Sequence, residues 1–312
     1  MLWTEKYRPK RIHQLIGQEM FKLDAENWIE NKEMPNLLLY GGAGVGKTTA
    51  AGILANEMLG SEIDSNYFEI NASDDRRLEV VRTTIKDIAQ QRAIGEVPFK
   101  IVLLDEMDGM TPDAQNALKR IMERYENNVR FIITANDRSR IIYPLQSRCA
   151  NYFFSNLENA TILSLLQTIL TNEQISNPPS EDDLGGFITY YNGDVRRTIT
   201  EMQAALASGL SLRKQSEKSL EKYDKILNLL IEGNHNKALE ELHNALYSGK
   251  TVKDICNGLH EVIVNGEMED NLKFKYLRAV GESEWRGNSM TPRVLVSWLV
   301  SQMRTQDSQR RV

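Results

Sequence analysis

The stretch Asn36-Leu37-Leu38-Leu39-Tyr40-Gly41-Gly42-Ala43-Gly44-Val45-Gly46-Lys47-Thr48 decides the fold. A short apolar run enters a loop that fits the pattern G-x-x-x-x-G-K-[ST], and the Ala-rich segment Thr49–Leu59 reads as a helix. Strand, glycine loop and helix in that order make a phosphate cradle. The glycines let successive backbone N–H groups turn inward, the helix N-terminus adds partial positive charge, and Lys47 reaches the outer phosphates. The candidate nucleotide contacts are Gly41, Gly42, Ala43, Gly44, Val45, Gly46, Lys47, Thr48 and Thr49, with the Thr48 hydroxyl also a candidate Mg2+ ligand.

Working outward, Ile101-Val102-Leu103-Leu104-Asp105-Glu106 reads as a buried strand ending in two acids. Open α/β sheets bind ligands at that carboxyl edge. Asp105 suits the Mg2+ shell, and Glu106 suits a general base that orients water for attack on a γ-phosphate. An adjacent Glu favours hydrolysis over transfer to a second substrate, which counts against a small-molecule kinase. Phe131-Ile132-Ile133-Thr134-Ala135-Asn136 is a second buried strand, and Asn136 offers a neutral amide to the phosphate or the attacking water. Arg148, in Ser147-Arg148-Cys149, is a candidate arginine finger acting in cis or in trans. Arg196, in Gly193-Asp194-Val195-Arg196-Arg197, is a further cation that could close onto the phosphates. Taken singly, each has an ordinary reading: acids capping a strand, Asn in a turn, a solvated Arg, a helix start.

Strands are expected at Tyr67–Ile70, Lys100–Leu104 and Val129–Thr134, alternating with helices such as Leu78–Gln90. Thr111-Pro112-Asp113 supplies an N-cap, a proline at the first helical position and an acid in the first turn. Residues 1–155 therefore read as an α/β P-loop domain with a parallel sheet. Residues 156–215 read as helical, broken by a loop at Ser176-Asn177-Pro178-Pro179-Ser180, and the polar stretch Ser211–Lys225 reads as a hinge. Residues 216–312 read as all-helical, with Ala238, Leu239, Leu242, Ala245 and Leu246 at helical spacing.

The chain of 312 residues is 41% apolar and carries a net charge of −5. That excludes a disordered chain and one that grips nucleic acid by bulk positive charge. No apolar run approaches the roughly 18–20 residues of a membrane span, and the start lacks a secretory signal. With two cysteines, an intracellular, reduced protein is expected. Cys256 and His260 lack a second pair for zinc. Residues 76–92 form a local basic concentration of net +3 in an acidic chain, with Arg76, Arg77, Arg82, Lys86 and Arg92 against Glu79 and Asp87. Arg77, Arg82 and Lys86 are candidate DNA contacts, and Arg82 and Lys86 share a helical face.

These segments, in this order, resemble the clamp-loader AAA+ ATPases, and among them the small-subunit family of replication factor C of archaea and eukaryotes. The resemblance spans about residues 1–205. Trp3-Thr4-Glu5-Lys6-Tyr7-Arg8-Pro9 and Ile16-Gly17-Gln18 are similar to the family's adenine-side boxes, which makes Tyr7, Arg8, Ile16 and Gly17 candidate ATP contacts. Ser147-Arg148-Cys149 carries the triplet that marks clamp loaders. The resemblance implies sensor roles for Asn136 and Arg196 and an Arg148 finger acting on ATP in the neighbouring subunit. It implies a helical lid over 156 to about 215 and a C-terminal collar holding a pentameric ring with a large subunit and further small subunits. Such a ring loads a sliding clamp onto primer–template DNA, in the cytoplasm of an archaeon or the nucleus of a eukaryote, with the loop around Arg92–Phe99 the candidate clamp contact. The chain departs from the pattern at Gly42-Ala43, Val45, Met107 and Asp75-Arg76-Arg77. None of these removes a group the chemistry needs. Another DNA-linked AAA+ ATPase or a subunit with a degenerate ATP site are the alternatives; the intact loop and acids count against the second.

Overall fold

The structure, a computed structural model, describes residues 1–72, 79, 81–191, 193–209, 212–287 and 289–304. It divides into two compact units, Met1–Gly209 and Leu210–Val312.

The first unit is built on five parallel strands: β1 (Leu37–Gly41), β2 (Tyr67–Asn71), β3 (Lys100–Asp105), β4 (Val129–Ala135) and β5 (Ala150–Phe154), in the spatial order β2-β3-β4-β1-β5. Side chains alternate across the sheet with a period of two, so one strand feeds two cores. Leu37, Leu39, Ile101, Leu103 and Ile132 join the core under α1 (Glu19–Asn31) and α2 (Lys47–Leu59). Leu38, Val102, Leu104, Phe131 and Ile133 join the opposite core. That core receives Ile85 and Ala89, at the start and within α3 (Lys86–Gln90), and Ala114, Leu118 and Ile121 from α4 (Pro112–Arg124). With both faces covered, the central strands can be apolar throughout, as a parallel sheet requires. Thr111 caps α4 as its sequence indicates, its side chain accepting from the Ala114 N–H.

The same unit continues into α5 (Asn159–Asn172), α6 (Glu181–Tyr190) and α7 (Val195–Ala207). The segment with two prolines ends at Ser180, whose hydroxyl caps α6 by accepting from Asp183. Asp194 caps α7 by accepting from Arg197.

The second unit holds α8 (Leu212–Ile231), α9 (His235–Tyr247), α10 (Val252–Asn265), α11 (Asp270–Arg286) and α12 (Pro292–Gln302). Tyr223, Leu242, Leu259, Tyr276 and Leu299 share one core. The expected hinge at Ser211–Lys225 is corrected here: from Leu212 onward it is helix. No Gly or Pro interrupts residues 212–231, so charge alone does not stop the helix. No helix among the described residues is long and apolar enough to cross a membrane.

Candidate nucleotide-binding site

The strand order explains the site. β4 lies between β1 and β3, so the carboxyl ends of three strands deliver the glycine loop, Asn136 and the acid pair to one place. A cleft of about 790 Å3 opens there.

The glycine loop needs its glycines at two positions. Gly41 has φ +148° and a Cβ there would come within 2.1 Å of the Phe154 carbonyl oxygen. Gly44 has φ +75° and a Cβ there would come within 2.1 Å of Asp194 Oδ1. Both conformations are ones L side chains rarely adopt. The loop ends at Gly46, and α2 begins with Lys47. Lys47 is only 8% exposed. Its ammonium donates to the carbonyl oxygens of Gly41 (2.9 Å) and Gly42 (2.6 Å) and to Asn136 Oδ1 (3.0 Å). Burial pulls its pKa below the ordinary lysine value, while the charges of Asp105, Asp108 and Glu106 work against that fall.

Thr48 Oγ1 donates to Asp105, 2.9 Å from Oδ1 and 3.2 Å from Oδ2. A hydroxyl and a carboxylate are hard oxygen donors of the kind Mg2+ takes, and together they fit that ion. Thr134 Oγ1 also donates to Asp105 Oδ1 and accepts from the Glu106 N–H at 3.0 Å. Glu106 stands in the left-handed region at φ +53°.

Of the residues identified from the sequence, Tyr7, Arg8, Ile16, Ala43, Gly44, Val45, Gly46, Lys47, Thr48, Thr49, Asp105, Glu106, Asn136 and Arg196 line this cleft. Gly41 and Gly42 serve it through the carbonyls that hold Lys47. Gly17 stands behind it at φ +68°, where a Cβ would meet Leu157 at 2.5 Å. Arg148 lies outside the lining: its guanidinium pairs with Glu123 and donates to the Pro144 carbonyl at 2.7 Å. Among the candidate DNA contacts, Lys86 is exposed at the start of α3 and Arg82 falls in a π-helical turn, Val81–Ile85. Arg77 lies outside the described residues.

The structure adds residues that sequence reasoning missed. Thr134 had a signal, since a lone hydroxyl in an otherwise apolar buried strand must find a partner. Asp194 lies within a segment already singled out and Asp108 two residues beyond another, with no pattern to distinguish them. Glu173, which accepts from both Lys6 and Tyr7, carried no local signal.

Comparison with known proteins agrees with this geometry. The ATPase family associated with various cellular activities (AAA) matches residues 37–157, and the replication factor C C-terminal domain matches residues 220–288. A replication factor C small subunit of Methanococcus vannielii is 35% identical over 96% of this chain and 98% of its own length. The one from Saccharolobus solfataricus is 36% identical over 92% of this chain and 88% of its own. Among solved structures, the RuvB Holliday junction branch migration motor of Thermotoga maritima aligns with a TM-score of 0.55. It covers 72% of this chain and 80% of that one at 17% identity, a likeness of fold alone. A phosphate cradle, a hydroxyl–carboxylate pair and a neighbouring acid at the end of a parallel sheet, in a chain matched over nearly its whole length, lead to one statement: the chain belongs to the replication factor C small-subunit family of AAA+ ATPases.

Proposed function

We propose that this chain is an ATP-hydrolysing small subunit of a ring that loads a sliding clamp onto primer–template DNA. The observation that carries the reading is the convergence of Lys47, Thr48, Asp105, Glu106 and Asn136 on one cleft in a chain of this family. Tyr7, Arg8, Ile16 and Gly17 take the adenine side. Lys47 and the N–H groups of the loop hold the phosphates, and Thr48 with Asp105 hold Mg2+. That ion, when bound, neutralises charge on the phosphate oxygens. Glu106 orients and deprotonates water, while Asn136 and Arg196 report the state of the γ-phosphate.

Arg148 acts on ATP in the adjacent subunit. Its position outside its own cleft, on a surface pair with Glu123, supports a role in trans. Residues 156 to about 215 act as the lid, and residues 216–312 as a collar joining this subunit to a large subunit and further small ones in a pentamer. Arg77, Arg82 and Lys86 serve as contacts to the DNA backbone, and several copies in a ring multiply a weak contact by effective concentration. The loop at Arg92–Phe99 meets the clamp. In support, Ile94 is 56% exposed there while Asn66 holds its backbone by accepting from the Ile94 N–H and donating to its carbonyl.

The test is steady-state ATP hydrolysis by the chain alone, then with a large subunit, primed DNA and a clamp. Stimulation by DNA and clamp that Arg148→Ala abolishes, with nucleotide binding retained, is the expected result. A chain that hydrolyses ATP equally well alone and ignores DNA, clamp and loss of Arg148 overturns the reading.

A further inference from the structure

Two side chains outside the roles given above tie the acid pair to Asn136. Thr134 lies on β4 and is 1% exposed. Its hydroxyl has one proton, donated to Asp105 Oδ1, and its lone pair accepts the Glu106 N–H at 3.0 Å. Asp108, in the 3-10 turn Met107–Gly109, returns the contact: its Oδ1 accepts the Asn136 N–H at 3.2 Å. A side chain of β4 thus holds the backbone after β3, and a side chain after β3 holds the backbone after β4. Glu106 needs such a hold. It is a non-glycine residue at φ +53° and ψ +42°, a conformation that persists only where its surroundings fix it. The Gly109 N–H closes the turn on the Glu106 carbonyl at 3.0 Å, and Met107, fully buried, anchors the turn in the core.

We infer that Thr134 and Asp108 are positioning residues that lock Glu106 and Asn136 into one unit, so that the water-orienting acid and the phosphate-reporting amide move together or not at all. The inference rests on the ATPase reading of the cleft and deepens it. Asn136 Oδ1 is already within 3.0 Å of Lys47 Nζ, so the locked unit extends to the phosphate-holding cation. A general base acts only within hydrogen-bond reach of its proton, and an error of about 1 Å costs on the order of 100-fold in rate.

The experiment uses the chain assembled with a large subunit, primed DNA and a sliding clamp, carrying Thr134→Val, which keeps shape and removes the hydroxyl, or Thr134→Ser, which keeps the hydroxyl. Single-turnover ATP hydrolysis, the affinity for a fluorescent ATP analogue and amide hydrogen exchange of residues 105–109 are measured together. With Val the rate falls roughly 10- to 100-fold and affinity stays within about 2-fold. Exchange at 105–109 accelerates while that of the β4 interior does not, and Ser restores all three readings. Asp108→Ala loosens the same segment, and Asp108→Asn, which retains an acceptor oxygen, does not. Unchanged exchange in Thr134→Val overturns the lock. Loosened exchange with an unchanged rate overturns its positioning role, as does an equal loss of rate and affinity in both Val and Ser. If the assembled ring carrying the unaltered chain binds but never hydrolyses ATP, the ATPase reading fails instead, and the exchange measurement still decides whether the lock exists.

Discussion

The floor of the cleft is made of residues near one another in sequence or joined by adjacent strands, whereas its roof is made of residues as many as 200 positions apart. In the floor, Lys47 and Thr134 are almost wholly buried and Asp105 accepts from two hydroxyls. In the roof, the N-terminal segment crosses from α7 and the end of α5 to α2 by a series of polar contacts. The Trp3 N–H donates to Gln203 at 2.9 Å, Lys6 Nζ and Tyr7 Oη both donate to Glu173 Oε1 at 2.6 and 2.7 Å, and Arg8 Nε donates to Thr49 at 3.2 Å. Buried polar groups are costly to unpair, while exposed pairs are screened and individually weak. The floor is therefore built to stay fixed, and the roof includes two exposed contacts, Lys6 to Glu173 and Arg8 to Thr49, that separate at small cost. A site that must hold its chemistry rigid yet admit and release a nucleotide needs both.

That contrast can be broken experimentally, beginning at the floor. Lys47→Ala removes the cation proposed to hold the phosphates, and affinity for a fluorescent ATP analogue is expected to fall by about 100-fold. A loss below about 3-fold shows that the lysine is not a phosphate ligand.

Gly44→Ala probes the line where floor meets roof. Its Cβ would press on Asp194 Oδ1, so the floor loop and the cap of α7 cannot both keep their places. Affinity is expected to drop by about 10-fold, and adding Asp194→Ala should recover part of it by relieving the contact. If the double substitution is simply additive, the two elements are not coupled through that contact.

Glu173→Gln acts on the roof alone. Two hydrogen bonds to one oxygen weaken, and affinity is expected to fall by only about 3- to 10-fold, with the rate of the bound state unchanged. A fall in that rate would join roof and floor and end the distinction drawn above.

The smallest effect concerns pH. Hydrogen bonds from Lys6 and then Tyr7 hold the Glu173 carboxyl below its usual range. A carboxylate with a lowered folded-state pKa contributes above its unfolded value and loses that contribution as pH falls through the folded one. The roof contact is thus fully present at neutral pH and fails only below the ordinary carboxylate range, near pH ~4.3. The ratio of affinities between the unaltered chain and Glu173→Gln is expected to stay flat from about pH 8 to pH 5.5, and a drift across that interval would show that another group governs the contact.

Legibility in the sequence follows the same division. The loop Gly41–Thr48, the acids Asp105 and Glu106, and Asn136 were readable because each motif is contiguous and follows an apolar strand that marks its place. β5 was not read, because Ala150-Asn151-Tyr152-Phe153-Phe154 shows neither the alternation that marked the other edge strand, β2, nor an unbroken apolar run; Tyr152 and Phe154 turn inward while Asn151 and Phe153 stay exposed. α8 was taken in part for a hinge because its first half is polar, a composition that does not distinguish a solvated helix from a linker.

The sequence by itself determined the strand–loop–helix cradle, which residues are candidates to hold phosphate and metal, and an all-helical second half. These depend on local backbone preference and on hydrophobic period, which a few adjacent residues encode. Only the tertiary structure decided that β4 lies between β1 and β3, and with it that Thr134 meets Asp105 and Glu106, that Asp108 meets Asn136, and that Glu173 receives Lys6 and Tyr7. Those contacts arise from strand order and chain return. A single hydroxyl or carboxylate placed far along the chain carries no mark of the partner to which the sheet will bring it.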